Sequence, residues 1–313
     1  MQALGKPLTM AIVSLAFFSV VTTACASAQG ASSRSGASSP GGQAGVGGDS
    51  PIARHQGEAS VPTPDTFNGF TTRTYTDAQG DNITYYLYSP VGAVPGNPGD
   101  YPVVLLLIGA GERAQASASA AQNRAKILND PYVKLWSSAT VQQNWPSFVI
   151  APQPVNPSRW VNVPGKQGSY TLASQPSISL ALAKEILDQT EREEGPAIDP
   201  SRVYITGISM GGYGVWDAIE RWPTSFAAAA PISGAGDPSR ASAVAGMPIW
   251  DFHGSQDTTV PISGSEDMIR AIQAAGGHPK FTIIPSVSHD IWMKAYTYPG
   301  FLAWLFAQRA PAS

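Results

Sequence analysis

Gly207-Ile208-Ser209-Met210-Gly211 places a serine between two glycines. The β-forming residues Val203 to Thr206 precede it, and a helical stripe of Val215, Trp216, Ile219 and Trp222 follows. Strand, tight turn and helix with serine at the apex is the context that a G-x-S-x-G nucleophile elbow requires. Small neighbours let the strand and helix pack closely around such a turn, and the turn presents the hydroxyl to solvent. The helix start behind it supplies unpaired N–H groups and a positive dipole end to a developing oxyanion.

A serine nucleophile needs a base, and histidine is the usual one. The chain has four histidines. His55 falls in a low-complexity leader. His278 precedes a predicted strand, and His253 closes one, where it reads as a packed, loop-shaping residue. His289, in Ser286-Val287-Ser288-His289-Asp290 after the strand Lys280 to Ile284, is the favoured base. A carboxylate must then hold the imidazole tautomer. Asp237, Asp251, Asp257 and Asp267 lie between Ser209 and His289. Asp251 sits inside a strand and Asp267 in a helix. Asp257 follows a strand end, the place required, and Asp237 is the fallback.

The oxyanion hole takes one N–H from Met210, the residue after the nucleophile. The second is expected from the loop after strand Val103 to Ile108, at Ala110. The same loop, Gly109-Ala110-Gly111-Glu112-Arg113-Ala114, matches the dinucleotide fingerprint G-x-G-x-x-A, with Asp130 nearly twenty residues on. A dinucleotide site needs that acid at the end of a second parallel strand, whereas Ala125 to Asp130 reads as helix. No cofactor is therefore expected. Neither a His-x-x-x-His pair nor a cysteine cluster offers a metal site.

The elements that must position these groups alternate. Phe70 to Tyr75 and Ile83 to Tyr88 read as an antiparallel hairpin about the turn Asp77 to Gly80. Val103 to Ile108 is a strand buried on both faces. Strands are also expected over Ser147 to Ala151, Phe226 to Ile232, Ile249 to His253 and Lys280 to Ile284. Helices are expected over Ala118 to Leu128, Ile178 to Glu193, Val260 to Ala275 and Ile291 to Arg309, the last interrupted at Pro299-Gly300. The pattern predicts an α/β fold with a doubly wound, mostly parallel sheet after an antiparallel start, where ligands meet the carboxyl ends of strands. Only Ser233 to Met247 follows the strand after the elbow helix, too little for a large cap domain, so the cleft should be open. Gln153 to Pro176 has no period and is expected to form one rim, with Trp160 and Tyr170 as aromatic contacts to substrate or, for Trp160, as a loop anchor.

Residues 1–28 carry one charge, Lys6, an apolar run Leu8 to Val21 and small residues Ala24 to Ala28. That is the pattern of an export signal, too short for a permanent span. Cleavage after Ala28 would give a secreted or periplasmic protein. Cleavage before Cys25 would leave a lipid-modified cysteine anchoring the chain at the cell envelope. Cys25 is the only cysteine, so no intrachain disulfide forms. Residues 29–60 are rich in Gly, Ser and Ala and read as a flexible leader, and residues 61–313 are enough for one catalytic domain. The net charge of −3 becomes −4 without Lys6. With no basic block, nucleic acid is not an expected partner.

GISMGGYGVWD, FHGSQDTTVP and the SVSHD segment resemble the α/β-hydrolase serine esterases of the phospholipase/carboxylesterase-like and polyhydroxybutyrate-depolymerase-like groups. The resemblance covers about Phe70 to Arg309. It implies a carboxylic-ester hydrolase with nucleophile, acid and base at Ser209, Asp257 and His289. It also implies esters of short acyl, hydroxycinnamoyl, acetyl or hydroxyalkanoate type as substrates, small or polymer-borne. The chain departs from the family in carrying Ile108-Gly109 where such esterases have a loop-bracing His-Gly. A serine peptidase or acyltransferase on the same fold is the first alternative. A non-catalytic surface lipoprotein is the second.

Overall fold

The computed structural model describes residues 66–93, 101–164, 167–195 and 197–311. The expected export signal and Gly/Ser/Ala-rich leader, with Cys25 and His55, lie outside the described residues. Among the described residues, nine strands form one sheet: β1 (Thr66–Phe67), β2 (Phe70–Thr76), β3 (Asn82–Tyr88), β4 (Tyr101–Leu107), β5 (Phe148–Gln153), β6 (Ile198–Ile208), β7 (Ala228–Ile232), β8 (Trp250–Gly254) and β9 (Lys280–Ile284). Their order across the sheet is β1-β2-β3-β5-β4-β6-β7-β8-β9.

The first strands pair antiparallel, and β3 pairs antiparallel with β5. From β5 through β4, β6, β7 and β8 to β9 every pairing is parallel. The expected doubly wound sheet with an antiparallel N-terminal hairpin is therefore present. In the hairpin turn, Asp77 Oδ1 accepts from the amides of Gln79 and Asp81, which is why this short segment reverses the chain where it does.

The helices are α1 (Ala120–Leu128), α2 (Pro131–Ser137), α3 (Ala139–Asn144), α4 (Ile178–Glu193), α5 (Met210–Arg221), α6 (Ala241–Val244), α7 (Ser263–Ala274), α8 (Trp292–Tyr296) and α9 (Phe301–Ala307). The short helices α2 and α3 were not expected from the pattern. Each starts on a capping side chain: Asp130 accepts from the Tyr132 amide ahead of Pro131, and Ser138 accepts from the Val141 amide. Asp130 thus caps a helix and ends no parallel strand, which removes the geometry that a dinucleotide fingerprint needs. The last expected helix is two pieces, α8 and α9, broken at Gly300 with φ 81°.

α5 is buried on nearly every side, from Met210 to Glu220. A helix walled in all round must sit inside the fold, not on its surface. Between β7 and β8 there is only a 3₁₀ turn, Pro238–Arg240, and the four-residue α6. Among the described residues, no cap domain stands over the carboxyl ends of these strands. Among the described residues, no helix is long and apolar enough to cross a membrane.

Candidate active site

Because β4, β6, β8 and β9 run parallel, the loops that follow them open on one edge of the sheet. Ser209 follows β6, the segment containing Asp257 follows β8, His289 follows β9, and the 109–113 loop follows β4. Topology alone therefore gathers four separate stretches of sequence at one place.

Ser209 has φ 52° and ψ −115°, a backbone conformation unfavourable to an L side chain. Its N–H donates to Ile232 O at 2.8 Å, which ties the turn to β7. Gly211 explains the narrow spacing: a Cβ there would stand 1.9 Å from Leu107 O. The helix can approach β4 only because that atom is missing. Held this way, Ser209 Oγ lies 2.7 Å from His289 Nε2. His289 Nδ1 lies 2.6 Å from Asp257 Oδ2. The imidazole is partly open, 18% exposed, while the carboxylate is fully enclosed. Trp292 stands edge-on to the His289 ring, with centroids 5.0 Å apart.

Asp257 has both oxygens occupied. Oδ1 accepts from the amides of Thr259 (2.8 Å) and Val260 (2.9 Å). Oδ2 meets His289 and, at 3.3 Å, His253 Nε2. Burial alone would raise the pKa of this acid. The hydrogen bonds from His253, His289 and the two amides outweigh it and hold the carboxyl far below its ordinary range. The group stays ionised, as an acid that orients and stabilises an imidazolium must. Asp237, the fallback, is committed elsewhere. Its Oδ2 accepts from the Leu172 amide, and its Oδ1 accepts from the amide and hydroxyl of Ser239.

A cavity of about 280 Å³ opens beside Ser209, lined by Ala110, Met210, Tyr213, Val161, Val163 and Pro164 together with Arg159, Thr259 and Val260. The Gln153 to Pro176 segment does form a wall, but not through the aromatics expected of it. Trp160 is fully buried and donates from Nε1 to Ile108 O at 2.8 Å. Tyr170 is buried against Tyr213, with ring centroids 6.1 Å apart and a hydroxyl lacking a partner. The side chains that face the cavity are their neighbours Arg159, Val161 and Val163. The stretch from Arg159 to Pro164 bends at Trp160, Val161 and Val163, so the buried indole and the cavity-lining residues come from one irregular segment. Of the two readings open for Trp160, loop anchor and substrate contact, the geometry supports the anchor.

The 109–113 loop is braced on several sides. Besides Trp160, Tyr132 Oη donates to Glu112 Oε2 (3.1 Å) and Gln153 Nε2 donates to Glu112 O (2.7 Å). Arg113 donates from Nε to Ala110 O (3.1 Å) and from Nη1 to Pro157 O (3.0 Å). The sequence carries no histidine at position 108 to do this, and Trp160 reaches the backbone of that residue instead. Tyr213, on the cavity wall, has its hydroxyl on Gln167 O. Its pKa is pushed up to about 12 by burial and by the nearby Asp257 charge. His253, read from the sequence as packing alone, touches Asp257. A signal was available, since the two are four residues apart across a turn.

Residues 94–297 match the family model described as phospholipase/carboxylesterase, and the chain belongs to that family. In its fold it is similar to the solved structure of a thermostable esterase, at 30% identity and a TM-score of 0.67, over 77% of this chain and 64% of that one. A "probable carboxylesterase" of Oryza sativa subsp. japonica is 22% identical over 217 residues, 66% of this chain and 88% of that protein. A bifunctional acetylxylan esterase/xylanase of Neocallimastix patriciarum is 30% identical over 106 residues, 34% of this chain. The matched stretch spans only 16% of the length of the Neocallimastix protein. Together with the sheet order, these place the chain among α/β-hydrolases.

Proposed function

We propose that the chain is a secreted serine carboxylic-ester hydrolase, with Ser209 as nucleophile, His289 as base and Asp257 as the acid that orients it. One observation carries this reading: the unbroken line from Ser209 Oγ to His289 Nε2 (2.7 Å) and from His289 Nδ1 to Asp257 Oδ2 (2.6 Å). With Nδ1–H donating to the carboxylate, Nε2 is left free to accept the serine proton. Ser209 Oγ then attacks the ester carbonyl carbon while His289 takes its proton. The amides of Met210 and Ala110 receive the negative charge on the carbonyl oxygen, and both residues line the cavity with Ser209. His289 returns the proton to the departing alkoxide, leaving an acyl-enzyme. Water, deprotonated by the same imidazole, releases the acid.

The absence of a cap between β7 and β8 and the largely apolar wall of Val161, Val163, Pro164 and Val260 favour acyl groups carried on a bulky alcohol or polymer. Within that range, the family resemblance implies acetyl, hydroxycinnamoyl or hydroxyalkanoate esters, and the similarity to an acetylxylan esterase/xylanase supports the acetyl case. Secretion rests on the N-terminal sequence pattern.

A fluorophosphonate probe should label the parent chain and not Ser209→Ala; labelling that survives the change would reject the nucleophile. Asp257→Asn should cut kcat by about 10⁴-fold with the fold intact, the scale expected when the imidazole loses its tautomer. Asp237→Asn should leave kcat within twofold. Equal turnover of a p-nitrophenyl ester and its matched anilide would reassign the chain to the peptidases.

A further inference from the structure

His253 ends β8 and is wholly enclosed. Both ring nitrogens are engaged. Nδ1 lies 2.8 Å from Ser265 Oγ of α7, and Nε2 lies 3.0 Å from Val260 O. Because Val260 O can only accept, Nε2 carries a hydrogen, and that same nitrogen sits 3.3 Å from Asp257 Oδ2. Asp251 stands two residues earlier on the strand, the spacing that puts side chains on one face. It is fully buried, and neither oxygen meets a partner at full hydrogen-bond geometry, although the Ser265 hydroxyl and the Phe252 amide lie near enough to counter part of its burial. A carboxylate left this way is tolerated only if it is neutral or has a counter-charge nearby. The His253 imidazole is within electrostatic reach of it. Four titratable groups therefore follow one another from the sheet interior to the cleft: Asp251, His253, Asp257 and His289.

We propose that His253 is a positioning residue for the acid of the active site, a second imidazole that shares Asp257 Oδ2 with His289. The inference rests on the triad reading given above. The two amides on Oδ1 hold only half of the carboxylate. His253, locked by Ser265 and Val260, holds the other half independently of His289, which moves its proton in each turnover. Burial alone would lower the pKa of His253. The Asp257 hydrogen bond, the Asp251 charge and the Val260 carbonyl reverse that and raise it. A raised pKa favours the charged ring, and a charged ring at 3.3 Å from Asp257 Oδ2 competes with the His289 Nδ1–H for the same oxygen. The groups facing His253 are Asp251 from its own strand, Asp257 and the Val260 carbonyl from the turn after β8, and Ser265 from α7. Beyond Asp257 lie His289 and the Tyr213 hydroxyl.

The test uses the whole chain and p-nitrophenyl butyrate. His253→Gln keeps a donor near Asp257 but cannot carry charge. It should lower kcat about ten- to a hundredfold, leave KM within twofold, and move the acid limb of kcat/KM to higher pH by half a unit or more. Ser265→Ala should move the limb the same way by less. A limb that stays put in a folded His253→Gln variant overturns the proposal. Should neither variant fold, ¹⁵N-histidine spectra of the parent decide it. Phosphonylation of Ser209, which removes the hydroxyl hydrogen facing His289 Nε2, should shift the His253 Nε2 resonance; an unmoved resonance also overturns the proposal. An unlabelled parent chain would instead sink the triad reading, so the two failures are told apart.

Discussion

Trp160 Nε1 donates to the carbonyl oxygen of Ile108 at 2.8 Å, from a ring that is completely enclosed. This bond joins the wall of the substrate cavity to the residue that leads into the 109–113 loop. The ring that reads from the sequence as a candidate substrate contact serves as scaffold. The loop, lacking the family's bracing histidine, is held by an indole arriving from about fifty positions later in the chain. Gly214 of α5 admits that ring, since a Cβ there would stand 2.7 Å from Trp160 Cβ. Helix α5, the cavity wall and the 109–113 loop are thus packed as one unit.

Trp160→Phe retains most of the ring while deleting the donor to Ile108 O. The lost hydrogen bond should lower stability by about 1 kcal/mol. If the Ala110 amide is the oxyanion donor proposed above, a larger effect is expected in kcat, with KM nearly constant, because a misplaced donor weakens only the transition state. Steady-state kinetics alongside thermal melts would check this. Loss of stability with unchanged kcat would mean that the loop keeps its shape without the indole.

Much of the site is legible in the sequence because it depends on local pattern. Ser209 sits in a strand–turn–helix motif whose glycines explain themselves, and Asp257 and His289 each follow a strand in a sheet whose direction the alternation predicts. The cavity wall is less legible. Whether Trp160 or its neighbours Arg159 and Val161 face the cleft is set by the bends of an aperiodic loop, and no local pattern announces where those bends fall. The helices α2 and α3, with seven and six residues, are too short to show a period. Their only trace is the capping chemistry of Asp130-Pro131 and Ser138. The contact between His253 and Asp257 needs the turn after β8 to bring the two side chains back together.

Stability should depend on pH in two opposite ways. Asp251 is driven by burial from an ordinary 3.8 up to about 7, with the His253 charge opposing the rise. Between those values the native state holds a proton that the unfolded chain has released. Its contribution is therefore complete below about pH 4 and lost as pH rises through 7, a change on the order of 4 kcal/mol at about 1.4 kcal/mol per unit. Asp257 has the opposite sign. Its folded pKa is depressed, so its contribution is present above the unfolded value and lost as pH falls further. Denaturant melts from pH 3 to 8 should show stability falling from pH 4 toward 7 in the parent and a flatter profile in Asp251→Asn. Parallel profiles for the two proteins would mean that Asp251 does not titrate in that window.

Arg159 is the single charged side chain among the residues lining the cavity. Its guanidinium is exposed, and its contact with Val163 O is long at 3.5 Å, so it is available to a ligand. The charge is reinforced from behind. Arg113 has its pKa lowered by burial and then by repulsion from Arg159, so two cations share this rim. An ester whose acyl part ends in a carboxylate would meet a complementary charge there, while a neutral acyl chain would rely on Val161, Val163 and Val260. A hydrogen bond to a charged group contributes about 1.5–3 kcal/mol, which corresponds to about ten- to a hundredfold in kcat/KM. Arg159→Met should therefore lower kcat/KM for p-nitrophenyl hemisuccinate by about that factor and leave p-nitrophenyl butyrate within twofold. Raising the salt concentration should weaken the parent's preference for the anionic ester and have no effect on the variant. Equal losses on both esters would show that Arg159 shapes the wall without reading charge.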